Sequence, residues 1–499
     1  MAEKMSGREK KATLMSGRTI TYIETDNPPR GGMKHTYFTP DRKFVVQFFN
    51  DPEDAADPNM RKRLESIIGK YNPTLAESEG GAAGGTIQTA SYFADLFCWP
   101  IDLVKDPAFG VVCPAYPGNF FFGKGASTSL PLKGKDKKSK WFTSKNRKWL
   151  EKAELGDFQQ MLGISLLLAR SMRRLHQAGL AHSDLSSNNV LIDPQTGRGI
   201  VIDIDSLVVP GLYPPEVAGT REYIAPEVLE TMDLPLDDPH RKLPSINTDL
   251  HALSVLIYQY LLNRHPLEGP KVYSTESAEE DDYLAMGPKA TFIEDPKDTS
   301  NRRDDMRVTI HDMGSKLEQL FVRALSDGLH DPTKRPSAME WETGLLAAWD
   351  MLVPCPNPKC AGKWFVLPAH GPAHCPFCGQ KVGPEQYVRF DMKVRRRGSN
   401  GQWMSAGTMS AYHGKRLWPW DTIAHSFADE KANHVDPPLM ADIVYAKGRW
   451  FFRNDALPDM RSSDGSHVPK GQYIELHDQM KFQLSGGEDG LLVEVRIGN

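Results

Sequence analysis

The segment His182-Ser-Asp-Leu-Ser-Ser-Asn-Asn189 constrains this chain more than any other. An aspartate, Asp184, precedes an asparagine, Asn189, by five residues, just after a helix-like run ending Arg174-Leu175-His176. Downstream, the β-branched run Gly199-Ile200-Val201-Ile202 leads straight into Asp203, with Asp205 two residues further on. A carboxylate and a carboxamide on one loop, facing a carboxylate at the end of a strand, form an all-oxygen donor set. Hard divalent cations that hold phosphates require such a set.

Bulk properties narrow the setting. A chain of 499 residues exceeds one hydrophobic core, so roughly two to four domains are expected. The net charge of -4 argues against a dedicated nucleic-acid binder, whose domain would be basic. No apolar run approaches membrane-spanning length, and Met1-Ala2-Glu3-Lys4-Met5 has no signal-peptide core, so a soluble, cytoplasmic protein without membrane contact is expected.

Further motifs follow the loop in order. Gly219-Thr-Arg-Glu-Tyr-Ile-Ala-Pro-Glu227 ends in a glutamate, and Asp331-Pro-Thr-Lys-Arg335-Pro-Ser follows downstream with an arginine between two prolines. Between them, Asp249-Leu-His-Ala-Leu-Ser opens an apolar run to Leu262. These five elements resemble the catalytic loop, the metal-binding strand end, the A-P-E segment, the helix whose first aspartate braces the catalytic loop and the D-P-x-x-R-P element of protein kinases. Residues 20–350 resemble a bacterial, eukaryotic-like Ser/Thr protein kinase. Trp99-Pro100 and His265-Pro-Leu-Glu-Gly269 are similar to divergent kinases of tellurite-resistance-type phosphorylation gene neighbourhoods.

The resemblance implies roles. Asp184 would take the substrate hydroxyl proton, and Asn189 and Asp203 would bind Mg2+ on ATP, with Asp205 in reserve. Asp249 would brace the catalytic loop, and Glu227 would pair with Arg335. Val111-Val-Cys-Pro-Ala115 would be the hinge strand, placing Cys113 near the nucleotide. The chain also departs from the family. The D-F-G glycine is absent, Ser183 stands where regulated kinases carry arginine, and Ser186 stands where lysine touches the transferred phosphate.

The largest departure is a missing lysine. The third strand of kinases carries a lysine for the α- and β-phosphates, but here it reads Phe44-Val-Val-Gln47-Phe-Phe49. Two readings stay open: the lysine is lost, as in a pseudokinase, or it has moved. Gly31-Gly32-Met33-Lys34 resembles the relocated lysine of the with-no-lysine (WNK) kinases. A turn centred on Thr39-Pro-Asp-Arg42 pairs Phe38 with Lys43 and hence Lys34 with Gln47, which would put both on one face. Asp57-Pro58 caps a helix whose Met60, Leu64, Ile67, Ile68 and Tyr71 form an apolar stripe, and Glu65 beside it is the candidate partner of the lysine. The run Gly80–Gly85 precedes no lysine and reads as a flexible insertion rather than a phosphate loop.

Two insertions carry opposite charge. Residues 123–148 hold nine Lys/Arg and one acid, Asp136, whereas 275–305 hold ten Asp/Glu against four Lys/Arg. The first reads as a solvated surface or the dock of an acidic partner.

After Pro354 the chain changes character. Cys355-x4-Cys360 and Cys375-x2-Cys378, each on a tight knuckle, make a four-thiolate zinc-ribbon pattern, structural because no ligand position stays open. Beyond 385, short alternating runs at 387–394, 442–445, 449–452, 473–476 and 491–497 predict a β-sandwich or small barrel. Gly448–Asn454, Val468–Gly471 and Ile474–Leu476 resemble a forkhead-associated (FHA) domain, without that family's arginine and S-x-x-H element. Arg395-Arg396-Arg397 reads as a solvated strand end.

The expected class is therefore α+β: a bilobal kinase-like fold, a zinc ribbon and a small all-β, sandwich-like domain. The expected bounds are an N-terminal tail over 1–19, an N-lobe over 20–116, a C-lobe over 117–352, the ribbon over 353–384 and the β domain over 385–499. The leading function is an ATP- and Mg2+-dependent Ser/Thr protein kinase with structural Zn2+ and a protein substrate. A pseudokinase scaffold and a small-molecule phosphotransferase are the alternatives. The tellurite-type resemblance further implies a von Willebrand A-type protein and a metal-dependent protein phosphatase as partners.

Overall fold

The structure is a computed structural model that describes residues 7–74, 92–204, 207–209, 219–235, 237–395, 401–422, 438–486 and 490–498. Asp205, the run Gly80–Gly85, and Arg396 and Arg397 lie outside the described residues. The chain divides into two compact units. The first comprises Met1–Gly156, Leu167–Arg302 and Arg323–Met339; the second comprises Asp157–Leu166, Arg303–Val322 and Glu340–Asn499.

The first unit opens with an antiparallel sheet of six strands in the order β2-β1-β5-β6-β4-β3. Its strands are β1 (Arg8–Leu14), β2 (Thr19–Glu24), β3 (Lys34–Phe38), β4 (Phe44–Phe49), β5 (Asp102–Asp106) and β6 (Gly110–Pro114). The expected tail over 1–19 is corrected by β1, which pairs with both β2 and β5. Its Arg-Glu-Lys-Lys start is exposed and only Ala12 and Leu14 are buried, so the strand shows too little apolar alternation to be read. β4 is buried on both faces. Val46 and Phe48 join Ala12, Leu14 and Tyr22 on one side, and Val45 and Phe49 join helix α1 (Pro58–Ile68) through Met60 and Leu64 on the other.

The β3–β4 register is also corrected. Phe38 lies opposite Val45, Thr36 opposite Gln47, and Lys34 opposite Phe49, rather than Lys34 opposite Gln47. The turn chemistry explains the two-residue shift. Thr39 N donates to Phe44 O at 3.0 Å, the Asp41 carboxylate accepts Lys43 N at 3.0 Å, and Arg42 is left-handed at φ 57. Lys43 is therefore part of the loop and cannot pair. An even shift preserves the face, so Lys34 and Gln47 remain diagonal neighbours on the same side of the sheet.

Helix α2 (Phe158–Gln177) leads to the hairpin of β7 (Val190–Asp193) and β8 (Arg198–Val201). Helix α3 (Ile246–Leu262) is buried from Thr248 to Leu262, as its nearly all-apolar sequence requires. A Ser245/Thr248 capping box starts it, and Asn263 at φ 55 ends it. Glu227 meets Arg335 in a bidentate pair at 2.7 Å and 2.7 Å, as the sequence motifs predict. The guanidinium also donates to Gly328, Leu329 and Asn247 carbonyls, so it cannot relax toward water.

The second unit holds two small hairpins, β9 (Leu352–Pro354) with β10 (Trp364–Val366) and β11 (Ala373–His374) with β12 (Lys381–Val382). Two four-stranded antiparallel sheets follow, in the orders β14-β13-β20-β19 and β15-β16-β17-β18. β13 (Val388–Arg395), β16 (Ala441–Ala446), β17 (Arg449–Asn454), β18 (Tyr473–Leu476) and β20 (Leu491–Arg496) fall on the expected runs. β14 (Trp403–Ala411), β15 (Arg416–Leu417) and β19 (Lys481–Gln483) were not expected. Phe390, Phe452 and Phe482 meet in the shared core, with ring centroids 5.0–6.3 Å apart. Residues from earlier in the chain join this unit. Phe158 packs on Phe377 at a tilt of 52° with ring centroids 5.3 Å apart, Phe158 N donates to Gly362 O at 3.1 Å, and Phe321 packs on Trp341 at 5.0 Å.

Removing one partner of the Glu227–Arg335 pair leaves a buried charge. Glu227→Ala is expected to destabilise the first unit by about 3 kcal/mol, read as a lower unfolding midpoint in denaturant. An unchanged midpoint would contradict this.

Candidate active site

Asp249 fixes the loop that carries Asp184. Its carboxylate, in buried α3, accepts His182 N at 2.7 Å and Ser183 N at 3.2 Å, and lies 3.1 Å from His176 Nε2 at the end of α2. Ser183 is thereby held left-handed at φ 68, a conformation an L residue rarely adopts unaided. His182 donates from Nε2 to Ile202 O at 3.0 Å, tying the loop to the end of β8.

Asp184 is held from two sides. Oδ1 accepts Thr220 N at 2.8 Å and Thr220 Oγ1 at 3.0 Å; Oδ2 accepts Asn189 Nδ2 at 2.8 Å. The same Asn189 nitrogen also donates to Asp184 O at 2.8 Å, which leaves the carboxamide oxygen as the donor atom for a cation. Gly219, at φ 103, makes this approach possible: an added Cβ would lie 3.3 Å from Ser183 O and 3.5 Å from Asp184 Oδ1. Thr220 was not among the residues expected at the site. Its signal was the Gly-Thr that opens the Gly219–Glu227 motif.

The β7–β8 hairpin brings Asn189 and Asp203 together, since Ile202 N donates to Asn189 O at 3.0 Å. Asp203 is exposed and left-handed at φ 63, so its carboxylate leaves the strand line at once. An exposed carboxylate beside an oriented carboxamide fits a Mg2+ carried on ATP phosphates, because such an ion keeps several water ligands.

Lys34 arrives at this point from the other side of the cleft. It is 9% exposed, and its Nζ stands 5.6 Å from the Phe49 ring centroid. Burial lowers its pKa, while Cys113, Asp203 and Cys98 act in the opposite direction. The glycine turn before it is rigid: Gly31 N donates to Lys34 O at 2.8 Å, and Asn50 Nδ2 donates to Gly31 O and Gly32 O at 3.2 Å each. Gln47 is engaged sideways, donating to Thr36 Oγ1 at 3.2 Å and accepting the Cys113 thiol at 3.7 Å.

The carboxylate expected to pair with Lys34 is corrected. Glu65 is exposed, whereas Met60, Arg63, Leu64 and Ile67 form the buried side of α1. At about 100° per residue, Glu65 lies nearly opposite that stripe. The acidic group acting on Lys34 is Asp203. Cys98 was also missed. It donates to Pro114 O at 3.3 Å, and its hydrogen bond with Cys113 raises its own pKa well above the usual value and lowers that of Cys113.

In the second unit, Cys355 and Cys360 sit between β9 and β10, and Cys375 and Cys378 between β11 and β12. All four sulfurs lie within 4.8 Å of one another, with Cys355–Cys378 at 3.5 Å and Cys360–Cys375 at 3.6 Å. A tetrahedron with Zn–S bonds of about 2.3 Å has edges of about 3.8 Å, so the four thiols fit a zinc ion. Gly362 permits the knuckle to close, because an added Cβ would sit 2.3 Å from the Phe377 ring. His374 is exposed and turned to Pro372 O at 3.2 Å, outside the sulfur cluster. The chain is expected to hold one zinc by elemental analysis, and chelation should open the ribbon to proteolysis between 355 and 378. Equal protease resistance with and without chelator would argue against a structural metal.

Residues 144–343 match the family model described as Protein kinase domain. The sheet that carries Lys34 lies before that stretch. The serine/threonine-protein kinase pkn3 of Myxococcus xanthus is 28% identical over 190 residues, which is 35% of this chain and 28% of that protein. Serine/threonine-protein kinase ppk21 of Schizosaccharomyces pombe is 28% identical over 108 residues, 20% of this chain and 18% of that one. The chain thus spans less than a third of the length of either relative. Among solved structures, a Toxoplasma gondii rhoptry kinase is 18% identical with a TM-score of 0.41, covering 69% of this chain and 85% of that one. A second Toxoplasma gondii protein, described as a virulence factor with a protein-kinase fold and no enzymatic activity, is 16% identical with a TM-score of 0.40, covering 69% of this chain and 86% of that one. Residues 144–343 therefore have a protein kinase-like fold, similar in sequence to Ser/Thr protein kinases.

Proposed function

We propose that this protein is an active Ser/Thr protein kinase that transfers the γ-phosphoryl group of ATP to a protein hydroxyl. One observation carries the reading. Asp184 is oriented by Thr220 and Asn189, and Lys34 is buried close enough to feel the charge of Asp203 although its strand position is not the usual one.

In this reading Asp184 accepts the proton of the attacking hydroxyl, and the Thr220 and Asn189 bonds keep its oxygens aimed at the acceptor. Asn189 and Asp203 would hold Mg2+, which supplies charge neutralisation of the nucleotide phosphates. Lys34 would place its ammonium against the α- and β-phosphates from the glycine turn Gly31-Gly32, in the place a lysine at 47 would serve. Cys113, on the hinge strand, would border the base. A pseudokinase scaffold is the second reading, favoured by Gln47, Ser186 and the Asp-Ile-Asp sequence at 203–205. The C-terminal β domain is read as a partner-docking module of FHA-like type. A von Willebrand A-type protein and a metal-dependent phosphatase remain partner readings that rest on the tellurite-type resemblance alone.

Phosphate transfer from radiolabelled ATP with Mg2+ separates the readings. Lys34→Met is expected to lose at least ~10²-fold in turnover, the scale for removing one electrostatic stabiliser, and Asp184→Ala is expected to lose transfer as well. Label unaffected by Lys34→Met would refute the relocated lysine. No label in the wild type, despite thermal stabilisation by nucleotide, would favour the scaffold.

Ser183 offers no cation to an activation-loop phosphate. Phosphatase treatment of the purified protein is therefore expected to leave activity within about twofold. Loss of activity on dephosphorylation would show a phosphate dependence that this loop does not provide.

A further inference from the structure

The basic insertion is folded, and it is fastened to the catalytic loop. Phe122 and Phe142 pack at 5.9 Å, and Phe120, Ala126 and Leu132 are buried with them. Ser139 N donates to Val190 O at 2.8 Å, Lys140 N to Ser187 O at 3.0 Å, and Ser139 Oγ to the same carbonyl at 3.1 Å. Ser187 is three residues beyond Asp184 and two before Asn189. Lys137 is buried and neutralised, 3.2 Å from Asp193 and 3.4 Å from Glu154, so it serves as an anchor.

Lys124, Lys133, Lys135, Lys140, Lys145 and Lys148 are different. All six are exposed, and none forms an ion pair among the described residues. Trp149 beside them is 43% exposed, with Lys148 Nζ 5.0 Å from its ring centroid. The acidic insertion does not balance this charge. Its helix α4 (Ala278–Met286) turns Asp282 to Arg221 at 3.3 Å, and Asp298 pairs with Lys271 at 3.6 Å. The cation next to Thr220 is thus already matched by the chain's own carboxylates, while the surface bonded to Ser187 is left positive.

We propose that residues 123–149 are a docking surface for an acidic segment of the substrate protein, so that the enzyme favours acceptor hydroxyls flanked by Asp and Glu. The inference deepens the kinase reading and rests on it for the word substrate. The physical basis is complementarity: unmatched like charge on a fixed scaffold attracts an acidic chain, steers its approach and weakens as salt rises.

Binding and turnover are measured separately on the full chain. A fluorescent serine peptide flanked by Asp and Glu is titrated by anisotropy against the same peptide with Lys in those positions. The acidic peptide is expected to bind at least about tenfold tighter. The triple variant Lys140→Ala, Lys145→Ala, Lys148→Ala is expected to lose about tenfold, the scale of three exposed charge contacts, whereas Lys447→Ala with Lys470→Ala is expected to lose nothing. In transfer assays the triple variant should raise KM with kcat unchanged, which a merely structural role would not produce. Equal binding of both peptides, or an unaffected triple variant, would overturn the proposal. So would tighter binding of a single-stranded oligonucleotide or an anionic vesicle than of the acidic peptide. If Asp184→Ala and the wild type bind the acidic peptide alike and neither transfers phosphate, the docking surface stands and the kinase reading falls. Transfer to the basic peptide without binding of the acidic one gives the reverse.

Discussion

A single buried carboxylate organises the first unit. Asp249 is 2% exposed inside a helix with almost no other charge, a position that is costly unless every lone pair is used. It is used: two backbone amides and an imidazole converge on it from the loop and from the helix before it. The left-handed backbone at Ser183 follows from those bonds, and the direction of Asp184 follows from Ser183. The Thr220 contact to Asp184 then ties the segment leading to Glu227 into the same assembly. The geometry of Asp184 is therefore inherited from the core through a loop that is itself largely buried.

The legible parts of the sequence were those carried by a motif that matches a known family pattern or a metal-ligand spacing. Asp184 and Asn189 were readable together because their spacing resembles that of the kinase catalytic loop. Glu227 and Arg335 were readable because each sits in a motif that resembles a kinase element whose two residues pair, although they stand 108 residues apart. Cysteine knuckles were readable because four thiols at short spacing have one common use. The features that escaped depend on partners distant in sequence. β1 is charged along most of its length and becomes a strand only because β2 and β5 offer it edges. Glu65, read as lying beside the apolar stripe, is exposed, because one residue past Leu64 the helix has already turned away from the side on which Arg63 is buried.

The β3–β4 hairpin shows why an error in register need not be an error in chemistry. The turn centre moved by one residue because the Asp41 side chain captured the Lys43 amide, and the pairing moved by two. Strand side chains alternate with a period of two, so the side of the sheet that Lys34 faces was unaffected. Had the shift been odd, Lys34 would have faced the opposite core with Tyr22 and Phe48.

The chain order and the packing order differ in the second unit. The compact body that holds the four-cysteine cluster and the two sheets also takes in Asp157–Leu166 and Arg303–Val322, from either side of the Asp184 loop in sequence. Phe158 against Phe377, and Phe321 against Trp341, are core contacts of that body rather than of the first. A cut at residue 352 would thus not release a finished kinase-like domain. It would strip the Phe377 ring from Phe158, while Phe321 kept Trp341, and leave apolar surface on the truncated product, which is the usual cause of insoluble fragments. The modules are interleaved, and they must be inherited, expressed and purified as one piece.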